Sequence, residues 1–348
     1  ILVNADRGSS WRNIGGGRTA FSLPELAEIA AQNHHIFKEL QYLSNIDYKP
    51  IRYISFAHDE ETYKTLEASK AWSKAEMIAP KQFREEISPY FNANPKKYIS
   101  ALVSEDCWQA TPGKVVDLVR NLGIAAGGTV MEDCRVLEAC REGKYTSVLV
   151  QTHDKKYVEY RTEHFVNALG SGAGKLCDSM GIDAGLYPVR HQAFITRRLP
   201  MLGKHGTNLD MLIDRQDYKG FSAVYGQQIA YTGQIIGCAS PKLDAMRIDK
   251  NLKVNTKAFL EIVSEMFSEW IPDLAGVGIQ AVWAGYYTEP RYIVDPELGL
   301  FVGMRGHGFM LSQYIARMYV DKLLGRPVPE YFEKLKLNGP GLSEKAFK

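Results

Sequence analysis

The sequence predicts an α/β (α+β) fold in which a nucleotide-binding type of domain is interrupted by an antiparallel-sheet domain. Long helical patterns lie near both ends of the chain, at residues 23–43 and 309–324, beside short apolar runs. Between them, short alternating segments predict antiparallel strands. Glycine clusters at residues 170–174 and 303–308 each follow an apolar run and precede a helical pattern, which is typical of a strand-to-helix turn.

Apolar periodicity predicts the individual elements along the chain. Three neighbouring strands at residues 129–141, 145–152 and 157–162 predict a meander, and residues 165–169 predict a buried strand. The predicted helices are residues 23–43, 59–71, 80–87, 112–122, 175–180, 256–271 and 309–324. The other predicted strands are residues 1–3, 51–58, 97–103, 187–196, 211–214, 221–226, 229–231, 234–238, 277–287, 292–294 and 298–304.

The size and composition of the chain are those of an ordinary globular protein that is long enough for two domains. It has 348 residues, of which 45% are hydrophobic and 24% are charged. The net charge of +2 gives no indication of a nucleic-acid partner or an anionic membrane surface. No apolar stretch reaches the ~18 residues that a transmembrane span needs.

The cysteines indicate a reducing environment. There are five of them, and no two form a CxxC pair. A scattered, odd-numbered set predicts reduced thiols and a cytoplasmic location, and it predicts neither a disulfide framework nor a metal site. The cysteines are residues 107, 134, 140, 177 and 238.

The glycine cluster at residues 170–174 is not a phosphate-binding loop of the Walker type. Such a loop needs a glycine where Leu169 stands and a serine or threonine where Leu176 follows the lysine. Two interpretations remain for this segment. It is either a tight turn between a strand and a helix, or a turn that lets the backbone lie against a dinucleotide.

The N-terminal segment fits the second strand of a dinucleotide-binding fold. In that strand an acidic residue binds the ribose hydroxyls, ~20 residues after a glycine fingerprint. Asp6 is the nearest carboxylate for this role, with Ala5 as the alternative occupant of the position. The fingerprint itself would precede Ile1, so we expect an upstream element that this sequence does not contain.

The most informative segment is the second glycine cluster, within residues 299–311. Its pattern predicts a strand, a tight turn and a long helix. Glycines let the backbone approach a flat or anionic ligand without a side-chain clash. The start of the helix supplies N–H groups and a partial positive charge. This combination suits a flavin ring with negative charge on its pyrimidine edge.

Four stretches together resemble the FAD-dependent enzymes of the D-amino acid oxidase superfamily. The similarity is greatest to the branch of sarcosine oxidases, glycine oxidase and dye-linked proline dehydrogenase. Residues 8–18 resemble the loop after the ribose-binding strand, and residues 166–170 resemble the family's "VNAAG" strand. Residues 187–192 resemble "PVRGQ", and residues 303–311 resemble the closing "GHSGHGFML" turn and helix.

The resemblance implies a domain organisation and an activity. A discontinuous Rossmann-like FAD-binding domain comprises residues 1–50, 107–180 and 275–348, and a substrate-binding domain comprises residues 51–106 and 181–274. The implied reaction is the oxidation of an amino acid or secondary amine, with hydride transfer from the carbon next to nitrogen to flavin N5. Water then hydrolyses the imine product. FAD carries this chemistry and the protein supplies position and electrostatics.

Alternatives to this activity stay open. The same fold oxidises C–OH bonds in 2-hydroxyacid and glycerol-phosphate relatives. The chain could also be a noncatalytic subunit or fragment that binds an electron-acceptor protein. The sequence does not choose between oxygen, a dye, a quinone or a partner subunit as the electron acceptor.

The resemblance also implies which residues contact FAD. Gly15, Gly16 and Gly17 are expected along the flavin, and the backbone of Val136 is expected at the adenine. The residues expected at the ribose, pyrophosphate and ribityl chain are Asp6, Arg7, Ser9, Ser10, Arg12 and Asn13. Those expected beneath the dinucleotide are Ala168, Leu169 and Gly170. Those expected around the pyrimidine edge are Gly303, Arg305, Gly306, His307, Gly308, Phe309 and Met310.

Departures from the family pattern bear on the substrate and on flavin attachment. Many relatives have a carboxylate-binding arginine in an "AGLRP" stretch, where this chain has Tyr287. Met310 replaces a lysine of the monomeric sarcosine oxidases, and Ala284 or a neighbour replaces their flavin-linking cysteine. We therefore expect noncovalent FAD. Arg18 is the remaining cation for a substrate carboxylate, the alternative being a surface or phosphate-contacting arginine.

Further residues are candidates for the substrate pocket. His191 either lines the pocket or packs as an ordinary half-buried histidine. Tyr225, like Gln227 and Tyr231, lies on a strand predicted to roof the site, where tyrosines also serve as packing residues. Lys242 follows a predicted strand at the place of oxygen-activating lysines in sarcosine oxidases, with a solvated surface lysine as the alternative.

Overall fold

The chain forms two compact units in a computed structural model. The structure describes residues 2–4, 8–199, 202, 209–215, 220–229, 232–241, 252 and 256–344. The first unit consists of Ile1–Arg12, Pro112–Val189 and Tyr286–Leu342. The second consists of Asn13–Thr111, Arg190–Gly285 and Ser343–Lys348.

The described residues form helices and strands, with several strands in succession in the middle of the chain. The helices are α1 (Ser9–Arg12), α2 (Pro24–Leu43), α3 (Glu60–Ala68), α4 (Phe83–Glu86), α5 (Pro112–Ala125), α6 (Ala173–Ser179), α7 (Thr256–Trp270) and α8 (Gly308–Leu323). The first eight strands are β1 (Leu2–Asn4), β2 (Gly16–Gly17), β3 (Lys49–Ala57), β4 (Ala75–Ile78), β5 (Ser100–Gln109), β6 (Val130–Glu132), β7 (Arg135–Glu142) and β8 (Tyr145–Gln151). The other strands are β9 (Tyr157–Thr162), β10 (Tyr187–Thr196), β11 (Met211–Asp214), β12 (Phe221–Gln228), β13 (Ile235–Pro241), β14 (Ile279–Glu289), β15 (Ile293–Asp295) and β16 (Leu300–Val302).

The first unit contains small sheets and the long helix α8. Strand β1 pairs with β6 in parallel, and β7, β8 and β9 form an antiparallel sheet. Strands β15 and β16 form a hairpin that leads into α8. Helix α6 buries Ala173, Leu176 and Cys177 against these sheets, which gives the unit its own apolar core.

The second unit is built on a mixed sheet in the order β14-β10-β13-β12-β11-β3-β5-β2, with β4 also paired to β5. One face of this sheet packs against α7. The helix forms because six of its apolar residues recur at helical spacing and are buried on the same side. These residues are Phe259, Ile262, Val263, Met266, Phe267 and Trp270.

The predicted fold class is confirmed, and two predicted strands need correction. The strand predicted at residues 129–141 is two strands, since Asp133 has a left-handed φ of +53° that interrupts the extended chain. The part before the break pairs in parallel with β1, so only β7, β8 and β9 form the meander.

The buried strand predicted at residues 165–169 is an irregular segment. Its single ladder contact is a bridge between Asn167 and Leu300, and Val166 is exposed. The buried amide of Asn167 donates to the carbonyl oxygen of Ala173 and accepts from the N–H of Leu169, at 3.1 and 3.3 Å. These local hydrogen bonds compete with strand pairing, which explains why apolar residues here do not continue a sheet.

Other predictions differ at their ends. Strand β5 runs over Ser100–Gln109 and not over residues 97–103, and β12 ends at Gln228, so Ile229 is outside it. Tyr231 lies outside the described residues. In the part of the chain that the structure describes, no helix is both long and apolar enough to cross a membrane. The same part contains no group of three or more His, Cys, Asp or Glu side chains that could hold a metal ion.

A buried ion pair in the second unit joins Asp214 on β11 to His58, which directly follows β3. His58 Nε2 lies 2.7 Å from Asp214 Oδ1, and His58 Nδ1 lies 2.8 Å from the carbonyl oxygen of Lys97. Asp214 is fully buried and also accepts from Tyr98 Oη and Trp270 Nε1. Burial alone would lower the pKa of His58, but the hydrogen bond and charge of Asp214 outweigh burial and raise it.

We predict that Asp214→Asn destabilises the protein in a pH-dependent way. The folded pKa of His58 lies above its unfolded value, so the pair stabilises fully below about pH 6.5 and its contribution is lost as the pH rises through the folded pKa. Breaking a buried pair costs about 3 kcal/mol at the acidic end of this range. Urea unfolding at about pH 6 and about pH 9 measures the cost, which should shrink at the higher pH.

Asp210→Asn is the matched control. Asp210 Oδ2 accepts from Arg52 Nε at 2.9 Å, and an arginine keeps its charge throughout this pH range. Its cost should therefore not vary with pH. A cost of Asp214→Asn that is equally independent of pH would contradict a charged His58 in the pair.

Candidate functional site

The turn that joins β16 to α8 has a left-handed backbone that favours glycine at two positions. Gly303 and Gly306 have φ values of +70° and +78°. A Cβ on Gly303 would overlap the carbonyl oxygen of Arg291, and a Cβ on Gly306 would overlap the ring of Tyr287. The turn is therefore closely packed against Arg291 and Tyr287, and this packing restricts its backbone to one conformation.

Helix α8 begins directly after this turn. His307 is its N-cap residue, and its side chain does not cap the first turn of the helix. Gly308 follows as the first helical residue. The N–H groups of a first helical turn carry partial positive charge. They can bind an anion when the side chain of the N-cap residue does not accept their hydrogen bonds.

A buried ion pair fixes the turn to the end of β14. Arg305 Nε donates to Glu289 Oε2 at 2.9 Å, and the backbone N–H of Arg305 donates to the carbonyl oxygen of Thr288 at 3.2 Å. Arg305 itself has a left-handed φ of +47°. Burial raises the pKa of Glu289 although the guanidinium of Arg305 opposes the shift. Arg305, expected at the cofactor, thus also has a structural role within the turn.

Other predicted cofactor residues lie in the same unit. Ser9, on α1, donates from Oγ to the carbonyl oxygen of Tyr286 at 2.6 Å, which brings α1 next to Tyr287. The ring of Trp11 packs on Gly113 at the start of α5, where a Cβ would overlap it. Ser10 is exposed and Arg12 half-buried, both also on α1, and Val136 is half-buried on β7.

The segment of residues 168–170 presents backbone to the surface. Ala168 is exposed, and Gly170 has a φ of +55° with open space where a Cβ would lie. Leu169 points its side chain towards the apolar core formed with α6. This segment leads into α6 through a short helical turn whose first residues lack a capping side chain.

The glycine loop of the second unit is held by hydrogen bonds on both sides. Asn13 Oδ1 accepts from the N–H of Gly15 at 2.7 Å, and Gln227 Nε2 donates to the carbonyl oxygen of Ile14 at 2.8 Å. Gly16 and Gly17 then pair with β5. The loop therefore lies against the large sheet.

At two of these glycines, a neighbouring aromatic side chain leaves no room for a Cβ atom. A Cβ on Gly16 would overlap the hydroxyl of Tyr53, and a Cβ on Gly17 would overlap the ring of Trp108. The indole of Trp108 is in turn stacked on His34, with ring centroids 4.6 Å apart. Sequence reasoning missed this support because the aromatic residues are distant along the chain.

Arg18 is buried in the second unit. It donates to the carbonyl oxygen of Ala20, and its guanidinium carbon lies 3.8 Å from the centroid of the Phe21 ring. Burial lowers the pKa of Arg215 to about 9, and the nearby charge of Arg18 adds to the effect while Glu344 opposes it. The region around Arg18 thus contains a second arginine and the carboxylate of Glu344, and Arg215 was not predicted from the sequence.

His191 and Tyr225 lie on one face of the large sheet. Ala193 on β10, Cys238 on β13 and Tyr225 on β12 are register partners, so they share a face. His191 and Gln227 lie two residues from Ala193 and Tyr225 on their strands and project to the same side. This is the face opposite to α7.

That face is electrically neutral at these positions. Burial lowers the pKa of His191 to about 3, so the imidazole is uncharged at ordinary pH. Burial raises the pKa of Cys238 to about 12, although a hydrogen bond from Tyr225 opposes the shift, so this group remains a thiol. The face offers hydrogen-bonding groups without a net charge.

The remaining predicted residues are divided between the units. Tyr287 and residues 303–310 belong to the first unit, and Asn13, residues 15–18, His191 and Tyr225 belong to the second. Asp6, Arg7 and Lys242 lie outside the described residues.

Comparison with known families decides the class of protein. A model of the FAD-dependent oxidoreductase family (DAO) matches residues 2–322. The chain belongs to this family. FAD is therefore its cofactor. No curated protein matches the chain significantly.

Several solved structures share the fold. L-proline dehydrogenase from P. horikoshii is 22% identical with a TM-score of 0.78, covering 96% of this chain and 88% of that one. Glycine oxidase from Geobacillus kaustophilus is 16% identical with a TM-score of 0.78, covering 97% and 90%. L-α-glycerophosphate oxidase from Mycoplasma pneumoniae, with FAD bound, is 14% identical with a TM-score of 0.68, covering 93% and 88%.

The residues of the first unit fit FAD. The start of α8 lacks a capping side chain from His307, and it follows a glycine turn of fixed course. Gly170 leaves open space on its Cβ side, beside the exposed Ala168. A helix start suits an anionic edge, and a strip of bare backbone suits a flat or extended ligand.

We predict that Gly306→Ala weakens FAD binding by at least about ten-fold. The new methyl group has to displace the ring of Tyr287, and it also strains a left-handed backbone, so the turn shifts at the start of α8. Gly325→Ala is the matched control, since Gly325 has a similar φ of +69° with open space around it. Titration of the apoprotein with FAD measures both affinities. Equal affinities of the two variants would argue against FAD at this turn.

Proposed function

We propose that this FAD-dependent oxidoreductase oxidises an amino acid or secondary amine at the carbon next to nitrogen. The observation that carries the proposal is the neutral face of the large sheet that bears His191 and Tyr225. A cationic histidine would repel a protonated amine. A neutral imidazole beside phenol and amide groups instead accepts hydrogen bonds from an amine without opposing its charge.

The fold relatives support the same class of substrate. The structures with the same fold include a proline dehydrogenase and a glycine oxidase, whose named substrates are amino acids. When bound, FAD supplies the oxidising power and takes the hydride from the substrate carbon. The start of α8 then stabilises negative charge on its pyrimidine edge, through N–H groups and the helix dipole.

We assign Arg18 to the carboxylate of an amino-acid substrate. Arg18 and Arg215 are two cations in a region that also contains the carboxylate of Glu344, so the region keeps a formal net positive charge for an anion. The stacking of Arg18 on Phe21 holds its guanidinium in a fixed orientation, which lowers the entropy that is lost when an anion binds. Tyr287 packs on Gly306 and adds no charge at the position where many relatives have their arginine.

A C–OH substrate is the second candidate. The fold is shared with a glycerophosphate oxidase, and two arginines are as suitable for a phosphate as for a carboxylate. The neutral sheet face does not discriminate against a hydroxyl group. The two candidates differ in which compounds reduce the flavin.

Anaerobic reduction of the FAD-loaded protein tests the proposal. The visible absorption band of the flavin should bleach with an amino acid or secondary amine such as proline, glycine or N-methylglycine. It should persist with 2-hydroxyacids and glycerol 3-phosphate. Bleaching by the hydroxy compounds alone would establish the second candidate, and an unbleached band with every compound would indicate a noncatalytic subunit.

We further predict that Arg18→Gln raises KM for a carboxylated amine by about ten-fold or more. KM for the matched amine without a carboxylate, pyrrolidine in place of proline, should change little. Arg161→Gln is the control, since Arg161 is an exposed arginine that also stacks on an aromatic ring, that of Tyr145 at 4.2 Å. An equal loss for the carboxylated and the carboxylate-free amine would remove Arg18 from carboxylate binding.

A further inference from the structure

A buried hydrogen bond joins His307 to Tyr292. Tyr292 Oη lies 2.5 Å from His307 Nδ1, and the two ring centroids are 6.2 Å apart with planes inclined by 30°. Tyr292 is 1% exposed and His307 is 9% exposed. The β15–β16 hairpin separates the two residues in sequence, so folding of the hairpin brings them together.

The chemistry of the two groups sets the direction of this bond. A phenol is a stronger acid than a neutral imidazole N–H, and an imidazole nitrogen is a stronger base than a phenol oxygen. The favoured bond is therefore O–H···N, with Tyr292 donating and Nδ1 accepting. The proton of a neutral imidazole then resides on Nε2, because the partner of one ring nitrogen fixes the state of the other.

The surroundings oppose a second proton on the ring. His307 is the N-cap residue of α8, where the helix dipole is positive. The guanidinium carbon of Arg305 lies 5.9 Å from the centroid of the Tyr292 ring, but its charge is compensated by Glu289, so the helix dipole is the influence that disfavours a cationic ring.

We propose that Tyr292 is a positioning residue for FAD, which holds His307 as the Nε2–H tautomer so that the turn before α8 presents only hydrogen-bond donors to the cofactor. With the opposite tautomer, Nε2 would be a hydrogen-bond acceptor in the turn proposed to hold the pyrimidine edge, and its lone pair would disfavour negative charge there. The N–H form instead adds to the donors of the first helical turn. This inference rests on the proposed placement of FAD at this turn.

The first test determines the tautomer in the unaltered holoprotein. Two-bond ¹H–¹⁵N spectra of protein labelled at histidine distinguish a proton on Nε2 from one on Nδ1. His307→Gln assigns the signal among the eight histidines of the chain. A proton on Nε2 alone is expected. A proton on Nδ1, or on both nitrogens, would overturn the proposal whether or not any variant folds.

The second test compares Tyr292→Phe with Tyr319→Phe by the midpoint potential of the bound FAD. Tyr319 is a buried tyrosine of α8 whose ring packs on Phe301, so its variant controls for the loss of a buried hydroxyl. Tyr292→Phe should weaken binding of reduced relative to oxidised FAD about ten-fold, which lowers the two-electron potential by about 30 mV. The control should retain the wild-type potential.

The readouts separate a positioning role from a structural one. Both variants can lower the unfolding temperature, because each removes a buried hydroxyl, but only Tyr292→Phe should lower the potential. An unchanged potential in Tyr292→Phe would overturn the proposal. If no amine reduces the flavin, the proposed function is refuted. The tautomer of His307 and the midpoint potential of bound FAD would still test the role of Tyr292. Unweakened FAD binding in Gly306→Ala would refute the placement.

Discussion

The left-handed turn between β16 and α8 is the constraint on which the first unit depends. Two glycines and Arg305 adopt positive φ values within four residues, from 303 to 306. Such a backbone persists only when its surroundings hold it. The Glu289–Arg305 ion pair and the packing of Tyr287 on Gly306 provide that support, and they set where the first N–H groups of α8 lie. The position of the helix start that we propose for FAD therefore depends on the side chains of Glu289, Arg305 and Tyr287.

The two faces of the large sheet in the second unit have different roles. One face packs against α7, whose six buried apolar residues form part of the core of this unit together with residues of the strands. The other carries His191 and Tyr225 among neutral groups, and the glycine loop packs on Tyr53 and Trp108 at its β3–β5 end. Alternation along strands makes this separation automatic, because each residue adjoins neighbours that face the other way. Chemistry can thus vary on one face while the other maintains stability.

The sequence was sufficient for elements whose pattern is local and insufficient for contacts between distant residues. Helices α7 and α8 and strand β10 follow from periodicity, and the family follows from four short stretches. The break at Asp133 and the irregular segment around Asn167 were missed because a single residue, through its φ or its amide, overrides an apolar pattern. The pairs Glu289–Arg305 and Tyr292–His307 were missed because the partners are distant in sequence. No local pattern around either residue indicates its partner. The roles of Arg18, His191 and Tyr225 stay predictions.

The contact of Tyr287 with Gly306 couples two positions that look independent in the sequence. Relatives with an arginine in place of Tyr287 have a flexible, charged side chain where this protein has a flat ring lying on a glycine. Introducing that arginine alone would remove the surface on which the turn rests, and enlarging Gly306 alone would displace the ring. Substitutions at positions 287 and 306 are thus expected to have non-additive effects on stability and on FAD binding, because each residue packs on the other.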